Sequence, residues 1–211
     1  MRYVPPVSRL PAALLAVALF SVYAAGACPT IYVGDSGELV AAVHVLGVPH
    51  PTGYPLYVLL GKLWSLAVPL GSIAYRMSLF SAACAALAGA LVYQVGRQLA
   101  LAPSAALCAA LLFAFSPSFW GEATVQRVYA LNALFVALAT LCAVRWQMRN
   151  EPRWLVATAL VCGLGAANHT FMALYAVAFA LAAAARVAVL AWRVGPAVAV
   201  SQAGVRWGGR S

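Results

Sequence analysis

Two of the four acidic residues in this chain, Asp35 and Glu38, lie within one helical turn of each other. Two of its three histidines, His44 and His50, follow at once. Carboxylates and imidazoles are the side chains that take and give protons near neutral pH, so this stretch holds most of the acid–base chemistry available to the chain. Asp35-Ser36-Gly37-Glu38 also has capping-box spacing. On that reading Asp35 caps the helix opened by "ELVAAVHVL", and Glu38 bonds back to the Asp35 N–H. The two readings are compatible, because a helix start that fixes a carboxylate is a mount for a base. On such a helix Asp35 and Glu38 share a face and His44 takes the opposite one, so Asp35 and His44 form no simple pair. Beyond it, Pro49, Pro51 and Pro55 resist helix, Gly53 permits a turn, and His50 is rigidly presented between two prolines. A plain surface histidine is the alternative.

The elements that must hold these residues follow from composition. The chain is 65% hydrophobic and 8% charged, and its mean hydropathy is +0.92. A soluble domain of 211 residues needs far more charge, so the sequence predicts an integral membrane protein. The net charge of +9 does not point to nucleic acid, because the basic residues flank apolar runs instead of clustering into a patch. Uncharged runs cover residues 10–34, 77–96, 98–121, 128–144 and 154–185. Each of the first four holds one span of about 20 residues. The last is too long for one helix and is interrupted at Asn168-His169-Thr170. The expectation is an all-α polytopic protein with about six spans: 10–28, 77–97, 101–119, 128–146, 154–168 and 171–192.

Charge orients that arrangement. With the N-terminus in the cytoplasm, ten of thirteen basic residues fall inside, and only Lys62, Arg76 and Arg127 outside. Asp35, Glu38, Glu122 and all three histidines also fall outside. The predicted external face therefore collects a long first loop, residues 29–76, the short loop at 120–127 and the turn at 168–170. Within the first loop, Tyr54, Tyr57, Trp64 and Tyr75 read as interface aromatics on a helix lying near the headgroups, with Lys62 as a phosphate-facing cation. Arg2, Arg9 and "YAAGAC" resemble a signal peptide, but the apolar run of about 19 residues and the spans after it favour an uncleaved first helix. The five cysteines are odd in number, lack a C-x-x-C and read as apolar fillers.

Four stretches then come in order: "DSGELVAAVHVLGVPHPTGYPLYVLLGKLW", "PLGSIAYRMSLFSAACAALAG", "FWGEATVQRVYALNALF" and "GLGAANHTFMALY". Over about residues 30–180 they resemble the family catalogued as domain of unknown function 2723, whose animal member is an endoplasmic-reticulum transmembrane O-mannosyltransferase. The D-S-G-E and H-P-x-G-Y-P-L elements carry most of the likeness. The resemblance implies a GT-C glycosyltransferase fold with its site on the external face. It also implies a sugar, mannose being one candidate, taken from a polyprenyl-phosphate lipid and passed to a protein or glycan acceptor. Asp35 matches the acidic residue central to catalysis, and Glu38, which matches another recurring position, is expected to be catalytic with it. His50, Tyr54, Asn132, Asn168 and His169 match other recurring positions. Thr52 stands where the family usually has a second proline, and Arg127 where a glutamate precedes "VY", with Glu122 five residues away.

Transfer to a hydroxyl needs a base and cations for a leaving phosphate. Asp35 supplies the first, and Lys62, Arg76 and Arg127 are candidates for the second. Asp35, Glu38 and a histidine have donor types that suit a divalent metal, but the spacing carries no metal signature, and no cofactor is assigned. The expected domain covers residues 1–194, followed by an irregular tail at 195–211. The likeness implies further spans, so the chain reads as a truncated member of a bacterial inner-membrane protein with its N-terminus cytoplasmic. The rival readings are a non-catalytic membrane scaffold and a transporter fragment. Charges at span ends and the lack of an inverted repeat speak against transport. A scaffold would tolerate joint loss of Asp35 and His50.

Overall fold

The computed structural model describes residues 9–51 and 53–205. Thr52 and the basic residues Arg2, Arg206 and Arg210 lie outside the described residues. Within these, the chain forms nine helices and no strand: α1 (Leu10–Ala25), α2 (Ser36–Val45), α3 (Pro55–Ala67), α4 (Ile73–Gln98), α5 (Pro103–Ala114), α6 (Pro117–Ala123), α7 (Tyr129–Arg149), α8 (Pro152–Asn168) and α9 (Phe171–Val205). The protein is an all-α membrane protein, as its apolar runs predict.

Fewer helices than the six expected are long and apolar enough for a full crossing. Three helices are long and apolar enough to cross a bilayer: α4, α7 and the Phe171–Val189 part of α9. A fourth counts if α5 and α6 cross as one bent pair. They meet at 68°, because Ser116 is extended and Pro117 has no N–H with which to continue the ladder. The single span expected at 101–119 is therefore a broken one. With 16 residues in α1 and 17 in α8, both helices fall short of the roughly 20 that a full crossing takes. Contacts divide the chain into residues 1–173 and 174–211. The second unit is largely the remainder of α9, which runs as helix to Val205, into the segment expected to be an irregular tail.

Within the first unit α4 is the central element, packing on α1, α3, α5 and α7. Ser72 starts it, accepting the Tyr75 N–H at 3.1 Å. Its small residues let neighbouring backbones approach closely. A Cβ on Gly89 would stand 2.7 Å from Leu19 Cδ1 on α1 and 3.8 Å from Ala114 Cβ on α5. Leu19 is itself buried, so little room exists for it to move. Gly89→Leu is expected to lower stability by about 1–3 kcal/mol through overpacking. The check is thermal unfolding in detergent beside an insertion assay. Unchanged melting would remove the packed α1–α4–α5 contact.

Candidate functional site

Gly34 turns the chain into α2 with φ +77°, leaving Asp35 at the N-cap position. Asp35 does not cap. Its backbone is already helical (φ −72°, ψ −5°), and its side chain accepts no bond from the first turn. The carboxylate is exposed and takes no hydrogen bond among the described residues. Glu38 does not reach back to Asp35 either, so the capping box expected from the spacing is not formed. Glu38 instead accepts the His50 backbone N–H at 2.6 Å and pairs with His50 Nδ1 at 2.7 Å. Hydrogen bonding to His50 holds the Glu38 carboxyl below the usual range, and the same bond raises the His50 imidazole.

The proline loop then closes on itself. The Gly53 N–H donates to the His50 carbonyl at 2.9 Å. Gly53 and Tyr54 both adopt left-handed backbone, with φ +79° and +41°. Glycine does this freely. A tyrosine does so at a cost of about 1–2 kcal/mol, a strain that the surrounding contacts must hold in place. Those contacts are specific. The Tyr54 hydroxyl meets His50 Nε2 at 3.1 Å, and its ring stacks on His169 at 5.7 Å and 17°. His169 follows α8, and its Nδ1 accepts the Phe171 N–H at 3.1 Å. Desolvation by burial lowers the His169 pKa, so the neutral ring carries its proton on Nε2. Glu38, His50, Tyr54 and His169 are thus one continuous cluster joining the first loop to the α8–α9 turn.

Arg127 lies against the backbone just before Asp35. Its Nη2 donates to the Val33 carbonyl at 3.1 Å. A Cβ on Gly34 would stand 2.8 Å from that nitrogen, so only glycine lets the guanidinium lie against the residue before Asp35. Arg127 and Glu122 line an open cleft of about 580 Å³ together with Tyr32, Trp120 and Thr124. Arg127 Nε and Glu122 Oε2 are buried without a hydrogen-bond partner. Asn168 is buried and donates to the Val128 carbonyl at 3.3 Å. Its Oδ1 and that of Asn132 also lack partners, which leaves acceptors for a ligand or water to fill.

The other two expected cations are engaged in structure. Lys62 Nζ donates to the His44 carbonyl at the end of α2. Arg76 donates to the carbonyls of Ser65 at 2.9 Å, Gly71 at 3.0 Å and Leu70 at 3.4 Å, fastening the α3–α4 turn. Among the described residues no three His, Cys, Asp or Glu side chains converge as a metal site, and Glu38 is committed to His50.

Sequence reasoning missed Gln126. It is fully buried. Its Nε2 lies 2.6 Å from Ser78 Oγ, 2.9 Å from the Thr30 carbonyl and 3.2 Å from the Ala74 carbonyl. Its Oε1 accepts the Tyr32 N–H at 3.1 Å, and its backbone carbonyl accepts the Ser36 hydroxyl at 3.1 Å. Through its amide and its backbone carbonyl, this one residue ties α4 and the segment on both sides of Asp35 to the α6–α7 turn. Its only sequence signal is an uncharged amide beside Arg127 in an otherwise apolar neighbourhood.

A family model described as "Protein O-mannosyl-transferase TMEM260 N-terminal domain" matches residues 35–191. The chain belongs to this family. It is 36% identical over 146 residues to the protein O-mannosyl-transferase TMEM260 of Mus musculus, covering 67% of this chain and 21% of that protein. It is 28% identical over 183 residues to the protein O-mannosyl-transferase tmem260 of Dictyostelium discoideum, covering 79% of this chain and 22% of that protein. The chain therefore spans about a fifth of the length of these curated relatives. No solved structure matches. The TMEM260 N-terminal match opens at Asp35 and takes in the whole Glu38–His50–Tyr54–His169 cluster.

Proposed function

We propose that the chain is the membrane module of a GT-C type glycosyltransferase. It transfers a sugar, mannose by analogy with its named relatives, from a polyprenyl-phosphate lipid to a hydroxyl of a protein or glycan. Asp35 is the base for that hydroxyl, and Arg127 faces the leaving phosphate. Glu38, His50, Tyr54, Asn132, Asn168, His169 and Glu122 line the substrate side. The observation that carries this reading is an exposed carboxylate at Asp35 with no hydrogen bond to its helix, one residue beyond the Val33–Gly34 backbone on which the Arg127 guanidinium lies. A carboxylate that serves only as a helix cap would be bonded to its helix, and this one is not. Lys62 and Arg76 support the loop instead.

The test supplies labelled polyprenyl-phosphate mannose to membranes holding the full-length protein. Label is expected in protein or glycan acceptors. Incorporation no greater than in control membranes would sink the reading. The proposed setting is the bacterial inner membrane, with the N-terminus cytoplasmic and the cluster on the external face, so that the short α1 crosses where the bilayer thins to meet it. His44 is exposed and its side chain lies outside the cluster, so His44→Cys in a cysteine-free background reports the face. An impermeant maleimide added outside intact cells is expected to label it. Labelling only after permeabilisation would reverse the orientation.

A further inference from the structure

Glu38, His50 and Tyr54 form a line of hydrogen bonds from carboxylate to imidazole to phenol. Glu38 fixes the imidazole twice, through the backbone N–H at 2.6 Å and Nδ1 at 2.7 Å. A carboxylate only accepts, so Nδ1 bears a proton whether the ring is neutral or charged. That leaves Nε2 facing the Tyr54 hydroxyl at 3.1 Å. The direction of this last bond then follows the charge of His50. Neutral His50 accepts the phenol proton. Protonated His50 donates to the phenol oxygen, and the phenol's own hydrogen turns outward to a ligand. Tyr54 is held for this in a left-handed backbone conformation and against the His169 ring. A plain loop residue needs neither restraint.

We infer that Glu38, His50 and Tyr54 are a general-acid relay whose working end is the Tyr54 hydroxyl, delivering a proton to the oxygen that leaves the sugar. This rests on the transferase reading and assigns the acid that complements Asp35. The protons balance. Asp35 takes the proton of the attacking hydroxyl as its oxygen bonds to the anomeric carbon and the bond from that carbon to the leaving oxygen breaks. The leaving oxygen takes the Tyr54 proton, and Tyr54 takes the Nε2 proton of His50. Imidazole ends neutral, with Glu38 unchanged. His50 recharges from solvent, to which it is partly open. The charged groups acting on His50 are Glu38 first and Asp35 second, and both favour the imidazolium. Across the Tyr54 ring, burial favours neutral His169, so no opposing cation stands there. The charged relay is present at low pH and is lost as pH rises through the raised His50 value.

Two measurements test the relay without any turnover. In ¹⁵N-histidine NMR of the full chain in micelles, neutral His50 is expected as the Nδ1–H tautomer, and its titration is expected to move down in Glu38→Gln. An Nε2–H tautomer, or a titration indifferent to Glu38, overturns the relay. The second probe is an aryl sulfonyl fluoride applied at alkaline pH, where neutral His50 acts as base toward the phenol. Tyr54 labelling, referred to exposed Tyr32 on the same molecule, is expected to fall roughly tenfold or more in His50→Gln. Labelling at the wild-type ratio overturns it. The tautomer is read on the wild-type chain, so a variant that fails to fold does not protect the idea. Failure of either measurement leaves Asp35 standing as base, whereas absence of sugar transfer with an intact relay strikes the transferase reading instead.

Discussion

Asp35→Asn in the full-length protein is expected to cut sugar transfer by roughly two to four orders of magnitude, the usual contribution of a general base, while fold and expression survive. The structure makes this substitution unusually clean. The Asp35 side chain makes no cap bond that asparagine would have to replace. What the helix takes from this residue is its carbonyl, which accepts the Leu39 N–H at 3.0 Å and is untouched. Stability is therefore expected to change by no more than about 0.5 kcal/mol. The comparison with Glu38→Gln separates two explanations. Were Asp35 and Glu38 a capping box, glutamine would serve almost as well as glutamate and activity would persist. Because Glu38 grips His50, glutamine keeps an acceptor for the backbone N–H but loses the charge that supports the imidazolium. It is therefore expected to slow transfer and shift its pH profile. Normal turnover in Asp35→Asn, with melting unchanged, would reduce the residue to an exposed side chain at a helix start.

What the sequence disclosed and what it hid divide along one line, the distance over which a signal acts. Helices were legible because apolar runs are long, but the α4 start was not: the expected span opened at 77, whereas Ser72, which accepts the Tyr75 N–H, starts the helix at Ile73. The α5–α6 bend was readable in Ser116-Pro117, yet an uncharged run across it suggested a straight span. Asp35-x-x-Glu38 gave a local pattern that a distant partner overrode. His50 lies twelve residues beyond Glu38 and is folded back by the prolines around it. Lys62 and Arg76 looked like headgroup cations because nothing in a sequence shows which carbonyls a long side chain will reach. Asn168 and His169 stood out as polar residues interrupting an apolar run. That His169 would stack on Tyr54 was not readable from that interruption.

Gln126→Leu is expected to destabilise the protein by about 3–5 kcal/mol and to lower transfer along with it. Leucine fits the volume, so the loss comes from polar groups left without partners. Removing the amide strands the Tyr32 N–H and takes a donor from the Thr30 carbonyl and the Ser78 hydroxyl, while the Ala74 carbonyl keeps Ser78 Oγ at 3.3 Å. Each group so abandoned costs up to about 1–3 kcal/mol, least for the half-buried Tyr32 N–H and Thr30 carbonyl. Ser78 keeps the Cys28 carbonyl at 2.8 Å, which is why the total stays below a simple sum. The substitution reaches the site through the chain, since Tyr32 precedes Asp35 by three residues and Thr30 by five. Gln126→Glu decides whether packing or hydrogen bonding is responsible. Glutamate keeps the shape but replaces a donor with a second acceptor, which then faces two carbonyls in a buried pocket. It is expected to melt at least as early as the leucine variant. If glutamate retained wild-type melting in detergent, the amide donor would not be what holds α4 and the Asp35 loop to the α6–α7 turn.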